Sequence, residues 1–282
     1  MTDYQEAADR TAWWADFEQR TVTAYRQAGC SPALAQAIHD QAVKRAPAFT
    51  LLSDAAHWLA LSVTDGVGRI HDLTDPAALP FAERWCAERG ATRIETRLTG
   101  TPGPFADYPV AGQNRLRTFA TTEPPALPPG LTIRPLTKAE YPVWLAAERD
   151  AYVLDIVRAG ALTPEQAREK SDRDFAEELP QGRDTPGHGF YAFEAGGEVV
   201  GTGWVQHSFL PGTTFGFSLE IHPEHRGKGH GRSAMAAAEW ITRQGGDHTL
   251  MFNVFGGNQV AMNLYDATGF ATVYETRSRP LD

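Results

Sequence analysis

Cysteine is in short supply: 282 residues include only Cys30 and Cys86. Neither sits in a C-x-x-C, and no spaced Cys/His set accompanies them. A disulfide framework and a structural zinc site are therefore not expected, and no metal is. A reducing, cytoplasmic compartment is. Long apolar runs are missing too, since none approaches the ~18 residues of a membrane span. The opening stretch MTDYQEAADRTAWWADFEQR is acidic and mixed, unlike a secretory signal. Positive charge is also scarce. With 26 Lys and Arg against 35 Asp and Glu, the net charge is −9, which argues against a nucleic-acid binder with its basic face. The balance suits a cationic partner, but bland cytosolic proteins are as acidic.

What is present is globular composition, 42% hydrophobic and 22% charged, with length for two domains. The boundary is TTEPPALPPGL at 121–131, where four prolines and a glycine leave no room for a regular element. We therefore expect domains at 1–122 and 131–282, joined by a stiff linker at 123–130.

Beyond the linker, LTIRPLT reads as a strand from Leu131. Residues 141–160 show helical apolar spacing, with Gly160 as the stop. Thr163, Pro164 and Gln166 in TPEQ form a capping-box pattern for a helix ending near Leu179. GFYAFEAGGEVVGTGWVQHS alternates on both sides of Gly196-Gly197, a hairpin. A strand over 214–223, a helix over 231–244, the strand TLMFNVF, a short helix closed at Gly269 and the strand FATVYETRSR complete the order. The result is an α/β sheet flanked by helices.

The first half begins with helices over 8–27 and 31–46. A hairpin follows, turning at Asp65-Gly66. PAALPFAERWCAERG is a helix; TRIETRLTG and LRTFAT are strands. PAALPFAERWCAERGATRIETRL matches GRSAMAAAEWITRQGGDHTLMFNV in element order and spacing, and FADYPVAG mirrors LYDATGF. We read a degenerate internal repeat. Trp13, Trp14, Trp58 and Trp85 give this half its own apolar mass.

The most informative stretch is RGKGHG, Arg226 to Gly231, between a strand and a helix. Glycines there permit positive φ and let a ligand approach the main chain. Amides at a helix N-terminus gather around an anion. Arg226, Lys228 and Arg232 add full charges, so a pyrophosphate or similar dianion is expected. The stretch is not GxxxxGK[ST], and GxGxxG fails at both Gly227 and Gly229. The pattern present is R-x-x-G-x-G. The first half has no such pattern.

After a strand ending IHP, this loop resembles the coenzyme A-binding loop of the GNAT N-acetyltransferase superfamily. The later run N-x-x-A-x-x-L-Y, from Asn258 through Ala261 to Leu264 and Tyr265, resembles that family's next helix, and the element order from Leu131 matches. The resemblance covers about the last 150 residues. It implies a GNAT-like mixed central sheet flanked by helices, in tandem with a degenerate, non-catalytic GNAT-like domain. It also implies acetyl-CoA as cofactor, held by Arg226, Gly227, Lys228, Gly229, His230, Gly231 and Arg232. A main-chain N–H at Ile221 or His222 would polarise the thioester, and Asn258 would contact the cofactor or cap its helix. Tyr265 would protonate the leaving thiolate. Asn253 is read as a contact to the pantetheine arm or as a solvent-facing strand residue.

For the proton on the amine, Glu220 is the first choice as base, then His222, then Glu224; a water relay is also common in this family. His188 and His207 would at most line a cleft. Asp150, Asp155, Asp172, Asp174, Glu177 and Glu178 are read as a solvated helix face with pairs such as Glu169 with Arg173, or as an attraction for a cationic amine. Trp144, Tyr152, Trp204 and Phe209 are read chiefly as core. The leading activity is acetylation of a small-molecule amine by direct attack. Protein N-terminal or lysine acetylation and a non-catalytic acyl-CoA sensor are the alternatives. A homodimer is left open.

Overall fold

A computed structural model describes residues 4–281 apart from 8, 55 and 159–161. The chain divides into two compact units, residues 1–114 with 271–282, and residues 115–270. The boundary falls within a strand, ahead of the proline-rich stretch. Residues 123–130 carry no helix or strand.

The chain opens with strand β1 (Gln5–Glu6), helices α1 (Thr11–Gln27) and α2 (Pro32–Arg45), and strands β2 (Thr50–Ser53), β3 (Trp58–Thr64) and β4 (Val67–Leu73). Helix α3 (Leu79–Ala87), β5 (Arg93–Leu98) and β6 (Val110–Thr118) follow. Next come β7 (Leu131–Pro135), α4 (Glu140–Arg158), α5 (Pro164–Glu178), β8 (His188–Ala195), β9 (Glu198–Leu210) and β10 (Thr213–Ile221). Helix α6 (His230–Gln244), β11 (Thr249–Phe255), α7 (Gln259–Ala267) and β12 (Ala271–Pro280) complete the order.

In the first unit, β1 to β4 pair antiparallel in succession, β4 pairs parallel with β5, and β5 pairs antiparallel with β12. In the second, β7 to β10 pair antiparallel in succession and β10 pairs parallel with β11. Each unit thus ends its hairpins in one parallel pair bridged by a helix, α3 or α6. The last strand, read from sequence as part of the second domain, pairs within the first unit.

Local chemistry accounts for most boundaries. Asp65 and Gly66 both take positive φ, 51° and 72°, as a two-residue hairpin turn requires. Ser31 caps α2 by accepting from Leu34 N. Thr163 and Gln166 make both reciprocal bonds of the capping box. Helix α1 starts at Thr11 rather than at residue 8, which lies outside the described residues, as does the expected stop at Gly160. FADYPVAG does not mirror a helix. A 3₁₀ turn at Gly103–Phe105, flanked by Pro102 and containing Pro104, ends at its first residue, and β6 begins within it at Val110, straight after Pro109. The edge strand β1 and its neighbour β2 have no expectation in the sequence.

Each unit has its own core. In the first, Leu59, Leu61, Ile70 and Ile94 pack with Ala82 and Cys86 of α3, while Trp13 packs on Leu51 and Ala60. Trp14 and Trp58 pack beside that cluster and Trp85 beside the α3 cluster. Cys30 and Cys86 are buried free thiols, their pKa pushed up by burial to about 12 and about 11, so both stay protonated. In the second unit, α6 packs Ala234, Ala237 and Ile241 on Phe193, Val200 and Val205. Tyr141, Trp144 and Phe175 of α4 and α5 pack on Phe190 and Trp204. Trp144 and Trp204 are therefore core residues, as expected.

Candidate active site

Strands β10 and β11 pair only from Thr213↔Thr249 to Gly216↔Phe252. Beyond Gly216, β10 stays with β9 as far as Ile221↔Gly201, and β11 continues to Phe255 without β10 beside it in register. A gap opens between the two. Gly216 is the hinge of this departure: a Cβ there would lie 2.0 Å from the Phe252 ring, and the β9 register shifts immediately after it. His222 donates its N–H to Val200 O at 3.0 Å. Antiparallel alternation then turns the amides of Leu219 and Ile221 away from β9, towards the gap. Of the two main-chain donors expected from the family pattern, the one at His222 is already engaged, which leaves Ile221.

A 3₁₀ turn at Pro223–His225 leads from β10 to RGKGHG. Gly227 and Gly229 take φ of 76° and 86°, and a Cβ on either would meet nothing within 4 Å. Backbone conformation, not crowding, selects glycine here. Gly231 has another reason, since its Cβ would stand 3.4 Å from Leu264 on α7. Helix α6 begins after Gly229 with no side-chain cap. The amides of Gly227, Lys228 and Gly229 have no acceptor among the described residues. Lys228 and Arg232 are exposed, without an ion pair there, and His230 is half-buried at the helix start. Such unmet donors beside unpaired cations and a helix N-terminus fit a pyrophosphate. Arg226 is the exception. Its guanidinium turns back to Ile221 O at 2.8 Å and Glu220 Oε1 at 2.9 Å.

Tyr265 lies on α7, almost buried. Its ring stacks on Phe252, centroids 5.4 Å apart at 10°, so Gly216, Phe252 and Tyr265 form one packed series. Burial raises the phenol to about 12, which keeps it protonated, and its hydroxyl has no partner among the described residues. Asn258 caps α7 by accepting from Ala261 N at 3.1 Å. Capping uses the carbonyl oxygen and leaves the amide NH₂ available. Asn253 is exposed on the free part of β11.

On α4, near Ser218 and Glu220 of β10, stands a residue that the sequence reading missed. Glu148 follows Tyr141 and Trp144 and precedes Tyr152 and Ile156 on one stripe of α4. It is only partly buried by exposed area, yet closely surrounded. Burial pushes its carboxyl up to about 7. Ser218 of β10 approaches closely enough to offset part of that, though its buried hydroxyl makes no hydrogen bond of ordinary geometry. Glu220 and Asp155 push the carboxyl further up. Glu220 itself is half-exposed and held by Arg226. A carboxylate interrupting an apolar helical stripe, four residues from both Trp144 and Tyr152, is the signal that was available.

The remaining candidates have other employment. His188 accepts from Trp204 Nε1 at 2.9 Å within an aromatic cluster, and burial lowers its pKa. His207 pairs with Thr214 Oγ1. Tyr152 donates to Asp174, which also holds Lys170. The i,i+4 pair of α5 is thus Lys170 with Asp174, because Tyr152 anchors that carboxylate; Glu169 and Arg173 make no ion pair among the described residues. Phe209 packs on Phe215. Among the described residues no Cys/His/Asp/Glu group could hold a metal, and no helix is long and apolar enough to cross a membrane.

Comparison with known proteins is consistent with this geometry. A family model described as the acetyltransferase (GNAT) family matches residues 153–270. The uncharacterized N-acetyltransferase YycN of Bacillus subtilis (strain 168) is 30% identical over 154 residues, 54% of this chain and 99% of that protein. A mycothiol acetyltransferase of Streptomyces bingchenggensis (strain BCW-1) is 32% identical over 54% of this chain and 46% of its own length. Among solved structures, a GCN5-related N-acetyltransferase from Sphaerobacter thermophilus aligns over 99% of this chain and 95% of its own. Its TM-score is 0.56 and its identity 15%.

Proposed function

The chain belongs to the GNAT N-acetyltransferase family, and we propose that it transfers an acetyl group from acetyl-CoA to the amine of a small molecule by direct attack on the thioester. The observation that carries this reading is the Gly227–Gly229 loop, whose amides lack acceptors among the described residues, at an uncapped helix start beside the β10/β11 gap. Those amides, with Lys228, His230, Gly231 and Arg232, would hold the pyrophosphate. When bound, acetyl-CoA supplies the activated acyl group. The Ile221 amide, turned towards the gap, is suited to donate to the carbonyl on which negative charge develops. Tyr265, protonated at working pH, is suited to give its proton to the departing sulfur.

Proton removal from the amine falls to Glu148 in this reading, not to Glu220. An ammonium must lose a proton to become a nucleophile, and a base poised near neutrality does this best. Glu148, with its carboxyl near 7, meets that condition, while Glu220 is committed to Arg226. Glu220 keeps a supporting part: its charge raises Glu148 and attracts a cationic acceptor. Similarity to a mycothiol acetyltransferase agrees with a small-molecule acceptor.

The test is release of free thiol from acetyl-CoA in the presence of small amines and of peptides. Release with at least one small amine is expected. Discharge by peptides alone would move the acceptor to proteins, and discharge by nothing in a broad panel would sink the enzyme reading. Tyr265→Phe should lower kcat by roughly tenfold or more while leaving acetyl-CoA affinity nearly unchanged. Equal losses in both would mean that the ring only packs.

A further inference from the structure

The first unit contains a cleft of about 870 Å³, within the size range of small-molecule sites. It sits where the parallel pair of that unit separates. Strands β4 and β5 pair from Val67↔Arg93 to Ile70↔Thr96, and the residues just beyond, His71 to Leu73 and Arg97 to Thr99, line the cleft. Helix α1 supplies Trp14 and Phe17, and the segment after α2 supplies Phe49; Phe17 and Phe49 both pack on the Trp13 ring. These three rings are partly exposed rather than closed into the core.

The charges lining the cleft are unbalanced. Five arginines stand against two carboxylates, Asp72 and Glu95. Arg20 takes Asp72 at 2.8 Å and Arg69 approaches Glu95 at 3.6 Å. Arg10, Arg45 and Arg97 have no carboxylate partner among the described residues. Arg97 is also held in place. Its guanidinium lies 3.5 Å from the Tyr274 ring centroid and donates to Tyr25 Oη at 3.0 Å. A preorganised fork of this kind loses little entropy on meeting a carboxylate. The lining histidines add no charge: burial holds His39 below its usual range and His71 at about 4.

The strand-to-helix junction beside the cleft limits what the ligand can be. Asp75 accepts from Ala77 N at 2.9 Å, so the protein's own carboxylate fills the position a phosphate would take. A pyrophosphate has no seat at that junction, which leaves the cleft to a compact acid without a phosphorylated tail.

We propose that this cleft is a second ligand site, independent of the acetyl-transfer reading, which takes a compact aromatic carboxylate with its ring among Trp14, Phe17 and Phe49 and its acid group on Arg97. The experiment is calorimetric or ligand-observed NMR titration of the full chain with indole-3-acetate and phenylacetate, each against its neutral amide. Both acids should bind at least tenfold more tightly than their amides. Arg97→Met should abolish that preference, with acetyl-CoA affinity unchanged as the control for folding. The idea is overturned if acid and amide bind alike, if neither acid binds at millimolar concentration, or if acetyl-CoA displaces the acid. The acid–amide comparison needs no variant, so it decides the matter even if Arg97→Met does not fold.

Discussion

At the strand-to-helix junction of the first unit, the leading amides of the helical segment meet the Asp75 carboxylate. At the corresponding junction of the second unit the amides of Gly227 and Gly229 meet no acceptor among the described residues. A similar contrast holds for buried carboxylates. Asp72 in the first unit is nearly inaccessible, but Trp13 and Arg20 saturate it. Glu148 in the second has no cation and no well-formed hydrogen bond among the described residues. At these two places the first unit satisfies its own groups, while the second leaves donors and a carboxylate without partners among the described residues. Unmet groups cost stability unless something else uses them, and this is why the chemistry is assigned to the second unit.

The strongest way to break the comparison is at Glu148. Glu148→Gln should lower kcat by about 10²–10⁴-fold, the usual contribution of a positioned base, with acetyl-CoA affinity unchanged. In the parent protein kcat/KM should rise through pH 7 and level off above it, because the ionised carboxylate is the active form; the variant should lack this limb. Stability should move the opposite way. The carboxyl holds its proton more tightly folded than unfolded, so the folded state loses stability as pH climbs from about 4.5 to about 7. Above that window Glu148→Gln should be more stable than the parent by roughly 1–3 kcal/mol, and the difference should vanish below it. Denaturant titrations at pH 4 and pH 8 check this. A flat pH profile in the parent enzyme would return the base to Glu220 or to water.

The second test copies one junction into the other. Gly229→Asp brings a carboxylate to the uncapped start of α6, as Asp75 does for the first unit. Gly229→Asn has the same shape without the charge, and both residues tolerate the positive φ. Acetyl-CoA affinity should fall about a hundredfold for Asp, a cost near 2.7 kcal/mol, and about tenfold less for Asn. Matching losses would mean that shape, not charge, governs the loop.

The fold and the loop were legible because they rest on local rules. Turns at Asp65-Gly66 and Gly196-Gly197, the capping box at Thr163 and the glycine spacing at 227–231 each follow from backbone chemistry within a few residues. The proposed base was not legible in this way. Glu220 looked suitable by its strand position, but Arg226 six residues later folds back onto it, and a strand-and-loop pattern does not reveal that contact. Glu148 requires knowing that the α4 stripe faces Ser218 on β10, a tertiary fact. FADYPVAG misled for the opposite reason: its element order suggested a repeat, while its two neighbouring prolines decided the local structure.

The smallest expected effect completes the comparison. Asp75 belongs to the first unit only as a cap, if the contrast between the two junctions is right. Asp75→Ala should then cost about 1 kcal/mol of stability, the ordinary price of a lost N-cap, and thermal unfolding should show it. Acetyl transfer should not change, since Asp75 is no part of the second unit's loop. Nor should the variant gain an acetyl-CoA site: removing the carboxylate frees amides but supplies neither the glycine loop nor unpaired cations such as Lys228 and Arg232. Two equivalents of acetyl-CoA bound by Asp75→Ala, against one by the parent, would show that the carboxylate alone had closed the first junction, and that the loop chemistry matters less than its occupancy.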